Sequence, residues 1–510
     1  MRALIASLAL LSGSCASVQA PPAGTDADTV AWWNITGALS GDDMEGRDTG
    51  SAGYDRAAAL VQGWFEKAGL KPAGENGGWR QTIPLQEARV ENDGTSFEIV
   101  RGDGSHDELR FLHEATVRPT WSLPANVDAP LVFRGYCSAG EIGNVKGRIV
   151  VCFGARRTGM TSAGQRLENA AKAGAVGIIN VDDPGFTIEP SRWPEAYARA
   201  ISFRGPSQTA YPQVAVIRLS AEALGKVIAG SGQDAATILK AGAASQSLPS
   251  FDIPAVMKAS FRQSQRELQS DNVLGLMPGT DPKLKDEIVL VSAHLDGYGY
   301  GEPVNGDALY NGAFDDAAYV ATLVRLAERQ AGKGFRRSVL FAVYTGEEKG
   351  LLGSNWYSTH LTVPKGKLAA VINLDQLRPL FPLKIMTMHA ITDTTLVTNV
   401  RRVAAGMGIE IRPDLEPERN LNQRTDHFPF LRMGVPATNF VFGFDPGTEA
   451  ERRYREWYQV RYHRPQDDMG QPLDWGAARD MNTFFYRLVE DVAQDDLRPS
   501  FTAGSQWAPK

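Results

Sequence analysis

Val339-Leu340-Phe341-Ala342-Val343-Tyr344-Thr345-Gly346-Glu347-Glu348 is the run from which the fold class of this 510-residue chain follows. Its apolar part reads as a buried strand. Gly346 lets the backbone turn. Two adjacent carboxylates then emerge at the carboxyl end of the strand, where α/β folds place their sites. Like charges side by side repel, and the arrangement persists most easily where a cation absorbs one of them.

The same layout recurs on either side. Glu287-Ile288-Val289-Leu290-Val291-Ser292-Ala293 is a second apolar strand, and it ends on His294. Asp296, two residues on, is spaced to accept the second imidazole proton and fix the tautomer. Ala369 to Leu374 is a third apolar run, ending on Asp375. Asn311-Gly312-Ala313-Phe314-Asp315-Asp316 leads into a helical pattern, and Tyr462-His463 lies in a polar loop. Two of only seven histidines therefore stand in such positions, beside three carboxylate candidates and a spare glutamate. Imidazole with carboxylate suits zinc, with manganese or cobalt as substitutes. Asp316 reads as a carboxylate favoured by a helix N-terminus rather than as a ligand. His427 either lines the pocket or structures its loop, and His106, His113, His360 and His389 read as structural or solvent-facing.

Strand and helix patterns alternate from Ser270 to about residue 490, ending in an amphipathic helix from Trp475 to Val492. That argues an α/β architecture, a mostly parallel central sheet sandwiched by helices. A helical pattern with Ala57, Ala58, Leu60, Val61, Trp64 and Phe65 closes at Gly69-Leu70-Lys71-Pro72. The region 115–250, with strands near Val150, Ile178 and Val214, looks like an insertion that is β-rich and α/β.

The strings Ala293-His294-Leu295-Asp296, Gly312 to Asp316, Thr345 to Ser354, Asn373-Leu374-Asp375, Thr425 to Phe430 and Tyr462-His463 resemble, in this order, the zinc aminopeptidases of the MH clan, peptidase family 28. The insertion resembles the protease-associated (PA) domain. The resemblance covers roughly residues 30 to 490 and implies two zinc ions. His294 and Asp375 would bind one, Glu348 and His463 the other, and Asp315 would bridge both together with a water or hydroxide. It implies Glu347 as general acid/base, Asp296 as partner of His294, and Tyr462 as hydrogen-bond donor to the oxyanion. Two departures bear on the pocket. Asp315-Asp316-Ala317-Ala318-Tyr319 stands where many members have Asp-Asn-Ala-Ser-Gly, and Gln376-Leu377-Arg378 where many have Met-Ile/Val-Gly.

The reading is thus an exported two-zinc exopeptidase, an aminopeptidase acting on peptides. Alternatives on the same fold are a carboxypeptidase or dipeptidase, needing a cation such as Arg424 or Arg378 for the substrate carboxylate, and a glutaminyl-cyclase-like enzyme with one zinc. A non-catalytic binding module would have lost ligands that are all present here.

The formal charge of −6 with no basic block excludes nucleic acid as an expected partner. No apolar run beyond the N-terminus has membrane-spanning length. Residues 1–20 read as a signal peptide, Arg2 preceding an apolar stretch from Ala3 to Leu11. Val18-Gln19-Ala20 fits a signal-peptidase site, although Pro21 fits poorly after the cut. Leu11 to Cys15 resembles a lipobox that would acylate Cys15 as a lipid anchor. Either exit places the mature chain outside the cytoplasm, periplasmic or secreted. Cys137 and Cys152 are then either a disulfide or two buried thiols. The expected organisation is a linker at 21–29, the peptidase domain in two parts at 30–114 and 251–510, and the PA-like insertion at 115–250.

Overall fold

The computed structural model describes residues 18–187, 199–205 and 211–509. Most of the targeting segment, with Cys15, lies outside them. At the centre is an eight-stranded sheet. Its order is Ala437–Thr438, Leu368–Asn373, Ile288–His294, Ser338–Tyr344, Gln263–Met277, Arg80–Val90 and Arg199–Phe203, with Lys71–Pro72 pairing beside Gln263–Met277. The first four strands are mutually parallel. Beyond Ser338–Tyr344 every pairing is antiparallel.

The strands Ile288–His294, Ser338–Tyr344 and Leu368–Asn373 are buried at every position, as parallel strands covered on both faces must be. Alternate residues serve different cores. Val289, Val291, Phe341 and Val343 pack toward helices Ala52–Lys67, Ala318–Gln330 and Trp475–Gln494. Leu290, Leu340, Ala342 and Tyr344 pack on the other side, against Tyr357 of helix Leu352–Thr359 and Phe430 of helix Phe428–Arg432. This is the expected helix–sheet–helix sandwich, parallel in the half that carries the site. Side-chain caps start the helices: Asp26 accepts from the amide of Thr29, Ser51 from that of Tyr54 and Asp474 from that of Ala477.

A second eight-stranded sheet runs His106–Glu108, Ser96–Arg101, Ser250–Ser260, Asn126–Arg134, Ile149–Phe153, Gly177–Val181, Ala215–Leu219, Ala115–Val117. It encloses its own core around Leu131, Phe133, Val151, Ile179, Ile217 and Met257. This sheet reaches past residues 115 and 250 on both sides, because Ser96–Arg101 and Ser250–Ser260 pair with each other along six residues. Conversely, Arg199–Phe203 leaves it and pairs with Arg80–Val90, Phe203 opposite Leu85 and Arg199 opposite Arg89. The inserted region thereby supplies the edge strand of the central sheet. Cys137 and Cys152 form a disulfide within the inserted region, among Val150, Ile178 and Val214. Among the described residues no helix is long and apolar enough to cross a membrane.

Candidate metal centre and active site

Register brings the site together. His294 lies opposite Tyr344, and Ser292 opposite Asn373, so three parallel strands end side by side. The residues just beyond those ends are Asp296, Glu347, Glu348 and Asp375. Asp315 and Asp316 enter from an irregular turn ahead of helix Ala318–Gln330, joined to each other by a cis peptide bond. Gly312, at φ 59°, starts that turn; a Cβ there would meet the Asp315 carbonyl oxygen at 2.4 Å. Asp467 holds the turn from below, its backbone carbonyl accepting from the amide of Ala313 and its carboxylate from that of Phe314, at 3.0 and 2.9 Å. His463 follows helix Glu449–Val460.

The candidate ligand atoms face one another. Asp315 points Oδ1 at His294 Nε2 across 3.5 Å and Oδ2 at His463 Nε2 across 3.3 Å. Glu348 Oε2 lies 3.2 Å from His463 Nε2. Two donors on one tetrahedral zinc, each about 2.0–2.1 Å from it, stand about 3.4 Å apart, so these spacings match ligands of a shared ion. His294, Asp315, Asp316 and Asp375 form one group of converging ligand atoms, Asp315, Glu348 and His463 a second, and His294, Glu347 and Glu348 a third. Asp315 belongs to the first two. His294 Nε2, Asp315 Oδ2 and both oxygens of Asp375 are buried without a hydrogen-bond partner among the described residues. Buried polar atoms rarely stay unsatisfied. A divalent cation satisfies this set, and its donor chemistry suits zinc.

The charges tell the same story. Burial and the neighbouring Asp315 and Glu348 push Asp375 up to about 6, against the pull of His294 and Arg378. Burial likewise drives Glu347 well above the carboxylate range, with Asp375, Glu348 and Asp426 adding to it. Burial works to lower His294, yet Asp316, Glu347 and Asp315 outweigh it and raise that imidazole. An excess of buried anions of this kind is what a bound cation relieves.

Around the ligands sit residues that hold them. His294 Nδ1 contacts the backbone carbonyl of Asp296 at 3.0 Å, while the carboxylate is 3.8 Å away. The expectation that the Asp296 side chain takes the imidazole proton is therefore corrected. The chain turns after Leu295 and puts the carbonyl under the ring. The carboxylate instead accepts from the amides of Glu347 and Glu348, at 3.0 and 3.4 Å, and from Thr49 Oγ1 at 3.1 Å. Asp316 is fully buried and accepts from the amide of His294 at 3.0 Å, a cross-brace rather than a helix cap. Tyr298, which the motifs do not reveal, places its hydroxyl 3.2 Å from His463 Nδ1. Arg47 ties the amino-terminal segment beneath the site, donating to the carbonyls of Leu39, Leu295, Asn311 and Gly312.

Arg378 is fully buried. It donates to the Phe314 carbonyl and the Tyr319 hydroxyl, stacks over Trp457 at 4.4 Å, and brings Nη2 within 3.5 Å of Asp315 Oδ1. The two departures noted in the sequence, Tyr319 and Arg378, are thus one contact. Glu347, Glu348, Tyr462, His463, Gln376 and Arg424 line a pocket of about 300 Å³. Arg424 donates to the Tyr462 hydroxyl at 3.3 Å. His427 is absent from that lining. Its two ring nitrogens pair with Thr425 and Asn422 at 2.7 and 3.0 Å, and it stacks on His389. It structures its loop.

An α/β sandwich with buried His, Asp and Glu converging at parallel strand ends defines a metallohydrolase-type site. Residues 272–489 match the model of peptidase family M28, and residues 127–224 that of the PA domain. Over these two stretches the chain is similar to peptidase family M28 and to the PA domain. Leupeptin-inactivating enzyme 1 of Streptomyces exfoliatus is 24% identical over 225 residues, covering 42% of this chain and 47% of that protein. Aminopeptidase YwaD of Bacillus subtilis is 27% identical over 207 residues, covering 39% and 40%. The chain thus spans less than half the length of these relatives. The fold extends further. An aminopeptidase from Aneurinibacillus sp. strain AM-1 superposes with TM-score 0.62 at 19% identity, over 93% of this chain and 95% of that one. BSAP, a zinc aminopeptidase from Bacillus subtilis, gives 0.57 at 17%, over 92% and 96%.

Proposed function

We propose that this protein is an exported two-zinc metallo-exopeptidase, an aminopeptidase that hydrolyses the N-terminal bond of peptides. His294 and Asp375 would hold one zinc, Glu348 and His463 the other, and Asp315 both. Bound there, zinc acidifies water and polarises the scissile carbonyl. The observation that carries this reading is the convergence of buried ligand atoms 3.2–3.5 Å apart around Asp315 and His463, with His294 Nε2, Asp315 Oδ2 and both oxygens of Asp375 lacking a hydrogen-bond partner among the described residues. Export rests on the targeting segment and would place the chain in a periplasmic or secreted setting, with acylation of Cys15 as the anchored form.

The residues divide the work. Glu347 Oε2 faces His294 Nε2 at 3.9 Å, and this reading gives its carboxylate the acid/base role beside the five ligands. It takes the proton of the attacking water and returns it to the leaving amine. Tyr462, whose oxygen accepts from Arg424, would donate its hydroxyl proton to the carbonyl oxygen on which charge develops. Asp296 fixes the backbone of Glu347 and Glu348.

Charge in the pocket favours the amino end of a substrate. Its wall carries Asp315, Glu347 and Glu348, and with Asp315 and Glu348 given to the metal, Glu347 is the carboxylate left to face a substrate's ammonium. Of the two cations a carboxypeptidase would use, Arg378 is buried behind Asp315, and Arg424 braces Tyr462. The test follows digestion of one peptide in free, N-acetylated and C-amidated forms. Loss of cleavage on N-acetylation alone is expected; loss on C-amidation alone would reassign the enzyme as a carboxypeptidase.

A further inference from the structure

Arg199 opens the strand Arg199–Phe203, which the inserted region sends into the central sheet beside Arg80–Val90. Its side chain is buried, with 3% of its surface exposed. A buried guanidinium needs its donors met and its charge balanced. Arg199 meets both needs across elements. Nε and Nη2 reach Glu87 Oε2 at 2.5 Å, Nη2 also donates to the backbone carbonyl of Thr49 at 3.4 Å, and Nη1 pairs with Asp48. Glu87 has a second cation in Arg266, so balancing its charge does not by itself account for Arg199.

Asp48 and Thr49 each stand one contact from the residues that hold the metal centre. Thr49 Oγ1 donates to Asp296 Oδ2 at 3.1 Å, and Asp296 takes the amides of Glu347 and Glu348. Asp48 Oδ1 lies 3.5 Å from the ammonium of Lys349, the residue that follows those two carboxylates. That ammonium sits 4.4 Å over the ring of Tyr298, whose hydroxyl faces His463 Nδ1 at 3.2 Å. Asp48 also pairs in parallel with Gly297, next to Asp296. Two routes therefore leave one guanidinium and meet at Glu347 and Glu348. A planar fork of five donors holds two carboxylates and a carbonyl at once, whereas a lysine ammonium is a point charge on a flexible stem.

We propose that Arg199 is a positioning residue for hydrolysis. It fixes Asp48 and Thr49 against Lys349 and Asp296, and so sets the directions in which Glu347 and Glu348 project. The inserted region thereby completes the catalytic centre through one strand, besides any part it plays in access. The inference rests on the aminopeptidase reading of that centre. Arg199 does not line the pocket of Glu347 and Tyr462, so its removal acts on turnover rather than on substrate affinity.

The test follows release of leucine from Leu-Gly-Gly-amide by the zinc-loaded full chain, and the rate at which a chelator strips its zinc. The parent is compared with Arg199→Met, Arg199→Lys and Phe203→Ala. Phe203 lies on the same strand and packs on Trp356, ring centres 5.4 Å apart, so its truncation loosens the strand and spares the Arg199 contacts. Arg199→Met is expected to lower kcat by about 10- to 100-fold, to leave KM within about twofold, and to lose zinc about tenfold faster. Arg199→Lys is expected to shift both readouts the same way by less, and it carries the test if Arg199→Met fails to fold. Phe203→Ala is expected to lower Tm with parental kcat and zinc retention. Parental kcat and zinc retention in the arginine variants, or equal losses in Phe203→Ala, overturn the positioning role and leave the aminopeptidase reading standing. No leucine from the parent overturns that reading; the zinc-loss ratio of Arg199→Lys to parent then decides the positioning role, a ratio of one overturning it.

Discussion

The amide of Glu347 donates to the carboxylate of Asp296 across 3.0 Å, joining the ends of two neighbouring parallel strands. The same carboxylate takes the amide of Glu348 and the hydroxyl of Thr49. One buried side chain therefore sets the backbone from which Glu347 and Glu348 both project. Asp296→Ala is expected to lower kcat by about 10- to 100-fold and to weaken zinc in competition with a chelator. Activity within twofold of the parent would remove Asp296 from any positioning role.

Glu347 converges with His294 and Glu348 but belongs to neither group that contains Asp315. Glu347→Gln keeps the shape and removes the base. Turnover is expected to drop by about 10²- to 10⁴-fold, with zinc content unchanged. Retained activity in a protein with full zinc would take proton transfer away from this residue.

Arg378 contributes a fixed positive charge 3.5 Å from Asp315 Oδ1. Removing one partner of a buried charge pair costs about 3–5 kcal/mol when nothing replaces it. A bound zinc replaces it in part. Arg378→Met is therefore expected to lower the Tm of the chelator-treated protein more than that of the zinc-loaded protein. Equal loss in the two forms would mean that the arginine serves packing against Trp457 and Tyr319 alone.

The Cys137–Cys152 disulfide closes a separation of 15 residues inside the inserted domain. A loop of that size is worth about 3 kcal/mol in the chain-entropy account. The Cys137→Ser/Cys152→Ser variant is expected to lose stability by about that amount in that domain. Its zinc content should be unaltered, because none of the five proposed ligands lies in the insertion. Zinc loss in a folded double variant would show that the PA domain props the metal centre directly.

Legibility followed locality. His294, Asp375 and the Glu347–Glu348 pair were readable because each ends a continuous apolar run, and a parallel strand buried on both faces writes that run into the sequence. His463 follows a helix in a loop and has no such context, so its place depended on motif order. Tyr298, and the contact of Arg378 with Tyr319, were not readable, since nothing local marks which long side chain reaches a ligand from another element. The reach of the PA sheet to Ser96 and Ser260 escaped for a similar reason. Ser96–Arg101 is six residues long, and its partner is more than 150 positions away. Arg199–Phe203 joins the catalytic sheet by backbone pairing, which carries no sequence signature. Spacing gives the proximity of Asp296 to His294, and only the turn after Leu295 decides between its carbonyl and its carboxylate.

The central claim is that Asp315 is shared by two metal positions, one with His294 and Asp375 and one with Glu348 and His463. Counting zinc per chain by elemental analysis in the parent and in His463→Ala tests it most directly. Two zinc ions in the parent and one in the variant is the predicted result; an unchanged count in His463→Ala would contradict it.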